Sequence, residues 1–105
     1  EKIASLFDSY HPSVWRLIRM TADAAARKGI NVAVCGEMAG RPEAAACLLG
    51  MGIRDLSMNP TSIPSVKAVL CEHSEKEMKE LANSVLKGST TQETHKYLDA
   101  WRKKR

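Results

Sequence analysis

A chain of 105 residues, 44% hydrophobic and 27% charged, has the make-up of one ordinary soluble domain. No apolar run approaches the ~20 residues that span a bilayer, and the acidic start at Glu1 has no signal-peptide pattern, so membrane and secreted roles are not favoured. The net charge of +4 sits largely in Arg102-Lys103-Lys104-Arg105; sixteen basic residues less these four leave 12 against 12 acidic ones, the balance of a neutral protein.

A terminal basic run reads as a solvated helix end, where cations suit the helix dipole. No aromatic-rich strand, helix-turn-helix signature or Cys/His finger accompanies it, which argues against nucleic acid as a partner. Cys35, Cys47 and Cys71 are an odd count, far apart and without a C-x-x-C. They point to a reducing cytoplasm and away from a disulfide framework or structural zinc. His11, His73 and His95 have no metal-ligand spacing. Glu1 in place of Met suggests a processed end or a piece of a longer chain.

Ile3, Leu6 and Phe7 belong to a lead-in that needs something to pack on. Ser9-Tyr10-His11-Pro12 reads as a helix start. From Ser13, the apolar set Val14, Leu17, Ile18, Ala22, Ala25 and Ala26 keeps helical spacing, with Arg16, Arg19, Asp23 and Arg27 mostly opposite; Lys28-Gly29 closes the helix. Residues 31–35 form an apolar strand of the kind covered on both faces in parallel sheets. A loop with two glycines follows, then an Ala-rich helix from Pro42 to Leu49, apolar on most sides and so in need of tight packing. Gly50-Met51-Gly52 ends it, and residues 54–58 make the second strand, stopped at Asn59-Pro60. Strand, helix and strand make one right-handed parallel βαβ crossover.

Ser62 is a plausible cap for a helix whose buried face is Val66, Val69 and Leu70. Ser74 with Glu77 matches a capping box, followed by a stripe of Met78, Leu81, Ala82, Val85 and Leu86. Thr90 or Thr91 caps a last helix with Tyr97, Leu98 and Trp101 on its apolar face. Two strands and about five helices leave both sheet edges open, so residues 1–105 read as part of a larger α/β domain.

The chemistry-bearing stretch is Cys35-Gly36-Glu37-Met38-Ala39-Gly40. Cys35 sits where a strand hands over to a loop, the catalytic position in barrel enzymes. A thiol there can be a nucleophile, an acid or filler, and burial as a small hydrophobe is the commoner outcome. Gly36 and Gly40 allow close approach to a ligand but are also ordinary turn residues, and Glu37 suits loop support or helix capping.

His11-Pro12-Ser13-Val14, Cys35 to Gly40, Leu49-Gly50-Met51-Gly52, Leu56-Ser57-Met58 and Ser62-Ile63-Pro64-Ser65-Val66-Lys67 occur here in an order that resembles the C-terminal part of phosphoenolpyruvate-utilising enzymes. Met38-Ala39-Gly40 favours the phosphoenolpyruvate–protein phosphotransferase branch, enzyme I of the bacterial sugar phosphotransferase system, over pyruvate,phosphate dikinase and phosphoenolpyruvate synthase. The resemblance implies an α/β fold that is the C-terminal fragment of a (β/α)8 TIM barrel, of which the chain supplies the last two strands. A full barrel needs about 250 residues.

The resemblance also implies that Cys35 is the acid that protonates the enolate of pyruvate. A thiol with an ordinary pKa of about 8.5 is mostly protonated at neutral pH and suits that task. Gly36 and Glu37 are the implied substrate-side residues. Mg2+ is the implied cofactor, with its carboxylate ligands, like the family's phosphate-binding arginines, on earlier strands and none in this chain. Phosphoenolpyruvate or pyruvate, a histidine-containing phosphocarrier protein and a second copy in a homodimer are the implied partners. The phosphorylated histidine belongs to a separate domain, since none of His11, His73 or His95 lies in such a motif, and the chain alone is expected to be inactive. Arg54 and Asp55 depart from the family's more usual pair of acids, and Arg54 reads as a surface change at the strand start. A role confined to dimerisation is the alternative from a different class.

Overall fold

The computed structural model describes residues 10–103; Ile3, Leu6, Phe7, Lys104 and Arg105 lie outside them. The elements follow the expected order: α1 (Pro12–Lys28), β1 (Ala33–Cys35), a 3-10 turn (Glu37–Gly40), α2 (Pro42–Gly50), β2 (Asp55–Ser57), a second 3-10 turn (Pro60–Ser62), α3 (Ile63–Cys71), α4 (Glu75–Lys87) and α5 (Thr91–Lys103). No helix among the described residues is long and apolar enough to cross a membrane.

The centre is α2. Its residues Pro42 to Leu48 and Gly50 are buried, as a helix with no polar face requires, and it is enclosed by α4, α3 and α5. Leu48 and Ile53 are fully buried beside Trp15, Val85 and Leu98. Each such aliphatic side chain contributes about 1.5–3 kcal/mol when withdrawn from water. Gly50 is inside α2 rather than beyond its end, because the backbone of α4 comes so near at Met78 that a side chain would meet its carbonyl.

The two strands pair in parallel, Ala33 with Asp55, Val34 with Leu56 and Cys35 with Ser57. Both are three residues long, shorter than the 31–35 and 54–58 anticipated. Asn31, Val32, Arg54 and Met58 fall outside the ladder because only one neighbour is present to pair with. Burial alternates: Val34 and Leu56 are half-buried and packed on the core, whereas Ala33, Cys35, Asp55 and Ser57 are exposed. The strand expected to be covered on both faces is thus covered on one, since the described helices pack on that face alone.

Several local readings need correction. Leu17, assigned to the buried stripe of α1, is 62% exposed, and the residue sealed in the core is Trp15. Ser62 makes no capping bond; the Asn59 side chain caps the 3-10 turn by accepting from the Thr61 N–H (3.1 Å), and that turn runs directly into α3. Arg16 is exposed, as its place opposite the apolar stripe predicts, and its guanidinium also donates to the carbonyls of Leu86 and Gly88 at the C-terminal end of α4. Arg102 belongs to the basic run read as a solvated end, yet it donates to Glu43 Oε2 (3.1 Å), a carboxylate otherwise buried on α2.

Other readings agree. Arg54 is an exposed residue that reaches Glu75 (2.7 Å), and the Ser74–Glu77 capping box is complete. Glu77 has a pKa held below the ordinary carboxylate value, chiefly by the Ser74 N–H it accepts from and then by His73. Thr90 accepts from the Glu93 N–H and caps α5.

The Gly50 approach makes a direct test. Ala is worth about 1 kcal/mol more than Gly in a helix, whereas forced overpacking costs about 1–3 kcal/mol and sometimes more. Because the obstacle is backbone, Gly50→Ala should lose about 2 kcal/mol net, read as a lower urea midpoint. A neutral or stabilised variant would show that α2 and α4 do not approach this closely.

Candidate functional site

Cys35 ends β1 and is exposed, in register with Ser57 at the end of β2. Both carboxyl ends lead into 3-10 turns, which brings two loops together on one rim of the sheet. Gly36 makes the first bend with φ 99°, a region that side chains rarely adopt. It turns the chain sharply out of the strand immediately after the thiol. Gly40 closes the loops on each other: a Cβ there would stand 3.3 Å from Ser62 Oγ and 3.6 Å from Met58 Cβ.

Between these loops lies a cleft of ≈ 480 Å³ lined by Gly36, Glu37, Gly40, Arg41, Ser57, Met58, Asn59 and Ser62. Its size is that of a small-molecule site. The sequence-nominated Gly36 and Glu37 line it, and Cys35 immediately precedes the first lining residue. Sequence reasoning missed Arg41, Ser57, Asn59 and Ser62 as one group, because they come together only when the two loops close. One signal was available: a cation at the residue before Pro42, where a helix start ordinarily takes Ser, Thr, Asp or Asn.

Arg41 is exposed and its guanidinium lies 5.4 Å from the centre of the Tyr10 ring. Tyr10 is buried, stacked on His95 (4.9 Å between centres, 7° between planes) and edge-on to Trp15 (5.9 Å, 88°). Hydrogen bonding to Tyr10, followed by its charge interaction and more weakly those of Glu43 and Glu37, raises the guanidinium's pKa further above its ordinary value. Arg41 therefore stays cationic at any working pH.

A second hollow of ≈ 410 Å³ involves α4 and α5, with His73, Glu77, Tyr97 and Trp101 in its wall. It shares no residue with the strand-end cleft and contains no thiol. His73 there donates from Nδ1 to Glu77 Oε2 (3.2 Å) and packs on Trp101 (4.0 Å between ring centres). His11 instead caps α1 by accepting from the Ser13 N–H, and His95 supports Tyr10. The three histidines have separate structural duties. The strand-end cleft is the better candidate because it combines a fixed cation, hydroxyls and a backbone bend, with the Cys35 thiol adjoining its lining in sequence and not part of it.

A parallel βαβ unit with an exposed thiol at a strand end is the material of an α/β enzyme site. The comparisons agree with that class. Residues 1–75 match the family described as PEP-utilising enzyme, PEP-binding domain. The chain is 41% identical over 99 residues to the phosphoenolpyruvate-protein phosphotransferase of Borreliella burgdorferi, covering 94% of this chain and 17% of that protein. It is 44% identical over 92 residues to the protein of the same name from Cupriavidus necator (87% and 16%) and 37% identical over 93 residues to that of Listeria monocytogenes (89% and 16%). The chain belongs to the PEP-binding domain family of PEP-utilising enzymes. It spans about one-sixth of the length of these curated relatives.

The three thiols have different environments. Cys35 and Cys71 are exposed, while Cys47 is fully buried on α2 and its burial pushes the thiol's pKa up, out of reach of ordinary chemistry. Maleimide treatment of the native 105-residue chain should add two labels by mass spectrometry, at Cys35 and Cys71, with the third appearing only in denaturant. Labelling of Cys47 under native conditions, or protection of Cys35, would contradict this placement.

Proposed function

We propose that this chain is the C-terminal part of a phosphoenolpyruvate–protein phosphotransferase. The parent takes the phosphoryl group of phosphoenolpyruvate onto a histidine of another domain, passes it to a histidine-containing phosphocarrier protein of the sugar transport system, and releases pyruvate in the cytoplasm. The observation that carries this reading is the side of the sheet on which Cys35 lies. It shares the open face with Ala33, Asp55 and Ser57, while Val34 and Leu56 meet the helices. In a (β/α)8 barrel the face turned from the helices is the interior, and catalytic groups stand at its carboxyl end. Residues 1–105 would supply the last two strands and their helices, and the bare face would be covered by strands outside this chain.

In this reading phosphoryl transfer breaks the bond between phosphorus and the enol oxygen and leaves an enolate. The Cys35 Sγ–H then gives its proton to the terminal methylene carbon, producing pyruvate and a thiolate that regains a proton from water. Gly36, by its bend, lets the backbone approach the substrate, and Glu37 forms part of the wall. Mg2+ supplies charge neutralisation at the phosphoryl group in the parent. Among the described residues no group of three His, Cys, Asp or Glu could hold a metal ion, and in this reading the Mg2+ ligands belong to earlier strands of the parent. The names of the relatives support a protein as acceptor over the nucleotide of a dikinase.

Leu17, Met20 and Ile30 are 62%, 65% and 63% exposed, and such apolar surface suits cover by the remaining barrel or by a second copy in a homodimer. Pairing alone would not require a thiol at the strand end.

In the full-length protein that carries this chain, Cys35→Ala should cut pyruvate formation about 10²–10⁴-fold, the usual range for loss of a general acid, with an unchanged melting temperature. Undiminished turnover overturns the assignment. The 105-residue chain by itself should give no phosphoenolpyruvate-dependent labelling of a phosphocarrier protein, and robust labelling would place a complete site within it.

A further inference from the structure

Arg41 stands where local structure would reject it. It is the residue before the first turn of α2, makes no capping bond, and puts a positive charge at the positive end of the helix dipole. Among the described residues no ion pair with a carboxylate holds it there. What holds it is the aromatic platform of Tyr10, itself fixed by His95 from α5 and Trp15 from α1. The Tyr10 contact offsets part of what this helix-start position costs, and it holds a cation at the rim of the cleft, where it can meet an anion. The platform also removes much of the rotamer freedom that an arginine would otherwise lose on binding.

The surroundings specify the ligand. Arg41 shares the cleft with the hydroxyls of Ser57 and Ser62 and with Asn59, whose carbonyl oxygen already accepts from Thr61. One carboxylate, Glu37, faces this group of donors. A planar guanidinium with neutral hydrogen-bond donors around it suits a dianionic oxygen cluster, which it can grip with two parallel bonds. We propose that Arg41 is a substrate-contact residue that binds the phosphoryl group in the strand-end cleft, with Tyr10 as its positioning residue. The inference rests on the phosphotransferase reading and adds to it an anion contact from within this chain. The phosphoryl group could be met on incoming phosphoenolpyruvate or on the phosphorylated histidine of the other domain.

The test uses the full-length protein and the variants Arg41→Ser, Arg41→Lys and Tyr10→Leu. Arg41→Ser restores an ordinary helix start and should leave the melting temperature nearly unchanged while weakening phosphoryl binding about tenfold or more, in line with the loss of one charge-assisted pair. Two arms separate the sources. Calorimetry with phosphoenolpyruvate on unphosphorylated enzyme reads the first, and the rate at which pyruvate discharges the phosphorylated enzyme reads the second. Weakening in either arm supports the proposal. Arg41→Lys should keep part of the binding, and Tyr10→Leu should lose affinity with the charge intact.

If Arg41→Ser leaves both arms within twofold of the wild type, or lowers the melting temperature without touching either, Arg41 is structural and the proposal falls. A wild-type protein that neither binds nor cleaves phosphoenolpyruvate would instead overturn the phosphotransferase reading itself.

Discussion

The approach of α2 to α4 at Gly50 and Met78 governs the rest of the molecule. With no polar face, α2 can exist only where other helices enclose it, and a residue without a side chain lets α4 come near enough to do so. Trp15, Leu48, Ile53, Val85 and Leu98 then fill the space around that contact. Because α2 is the crossover between the strands, its placement fixes their spacing and register. It also delivers Arg41 to the rim and, through Glu43, gives Arg102 of α5 a carboxylate to bind. Stability and site geometry therefore share a cause: a change that moves α2 would shift the cleft as well as the core.

A two-stranded parallel sheet with one bare face is a poor end point for a folded domain, since parallel sheets are ordinarily covered on both sides. Here the bare face carries Ala33, Cys35, Asp55 and Ser57, small or polar residues that tolerate water, while the larger Val34 and Leu56 face the helices. That division suits a barrel interior, whose carboxyl end must stay polar enough for a substrate. Exposed Leu17 and Met20 on α1 are apolar surface on the outside, which under the proposed reading further chain or a second copy covers.

Element order was legible in the sequence because each helix carries its own signals, such as the Ser74–Glu77 box, Pro at the first turn of α1 and α2, and glycine stops. Strand lengths were not, since ladder length depends on neighbours that pattern alone does not reveal. Periodicity placed Leu17 inside and Trp15 nowhere in particular. Tertiary packing reversed that, since the aromatic platform around Tyr10 draws Trp15 inward. The thiol was visible through position and resemblance. The neighbouring cleft was not, because Ser57, Asn59 and Ser62 join Gly36 and Arg41 through loop closure across about twenty residues of sequence.

The contrast between Cys35 and Cys47 shows how one side-chain chemistry is given two destinies twelve residues apart. Cys47 faces the enclosed side of a helix with no polar face, and burial suppresses its thiolate so thoroughly that it serves only as volume. Cys35 stands at the open end of a strand, reachable by solvent, with a backbone bend directly behind it. An acid needs access to its acceptor and a route for its proton to be replaced; a packing residue needs neither. Cys35 thus takes no part in the core around α2; under the proposed reading its face of the sheet turns toward the barrel interior, where a proton donor at the carboxyl end can meet substrate.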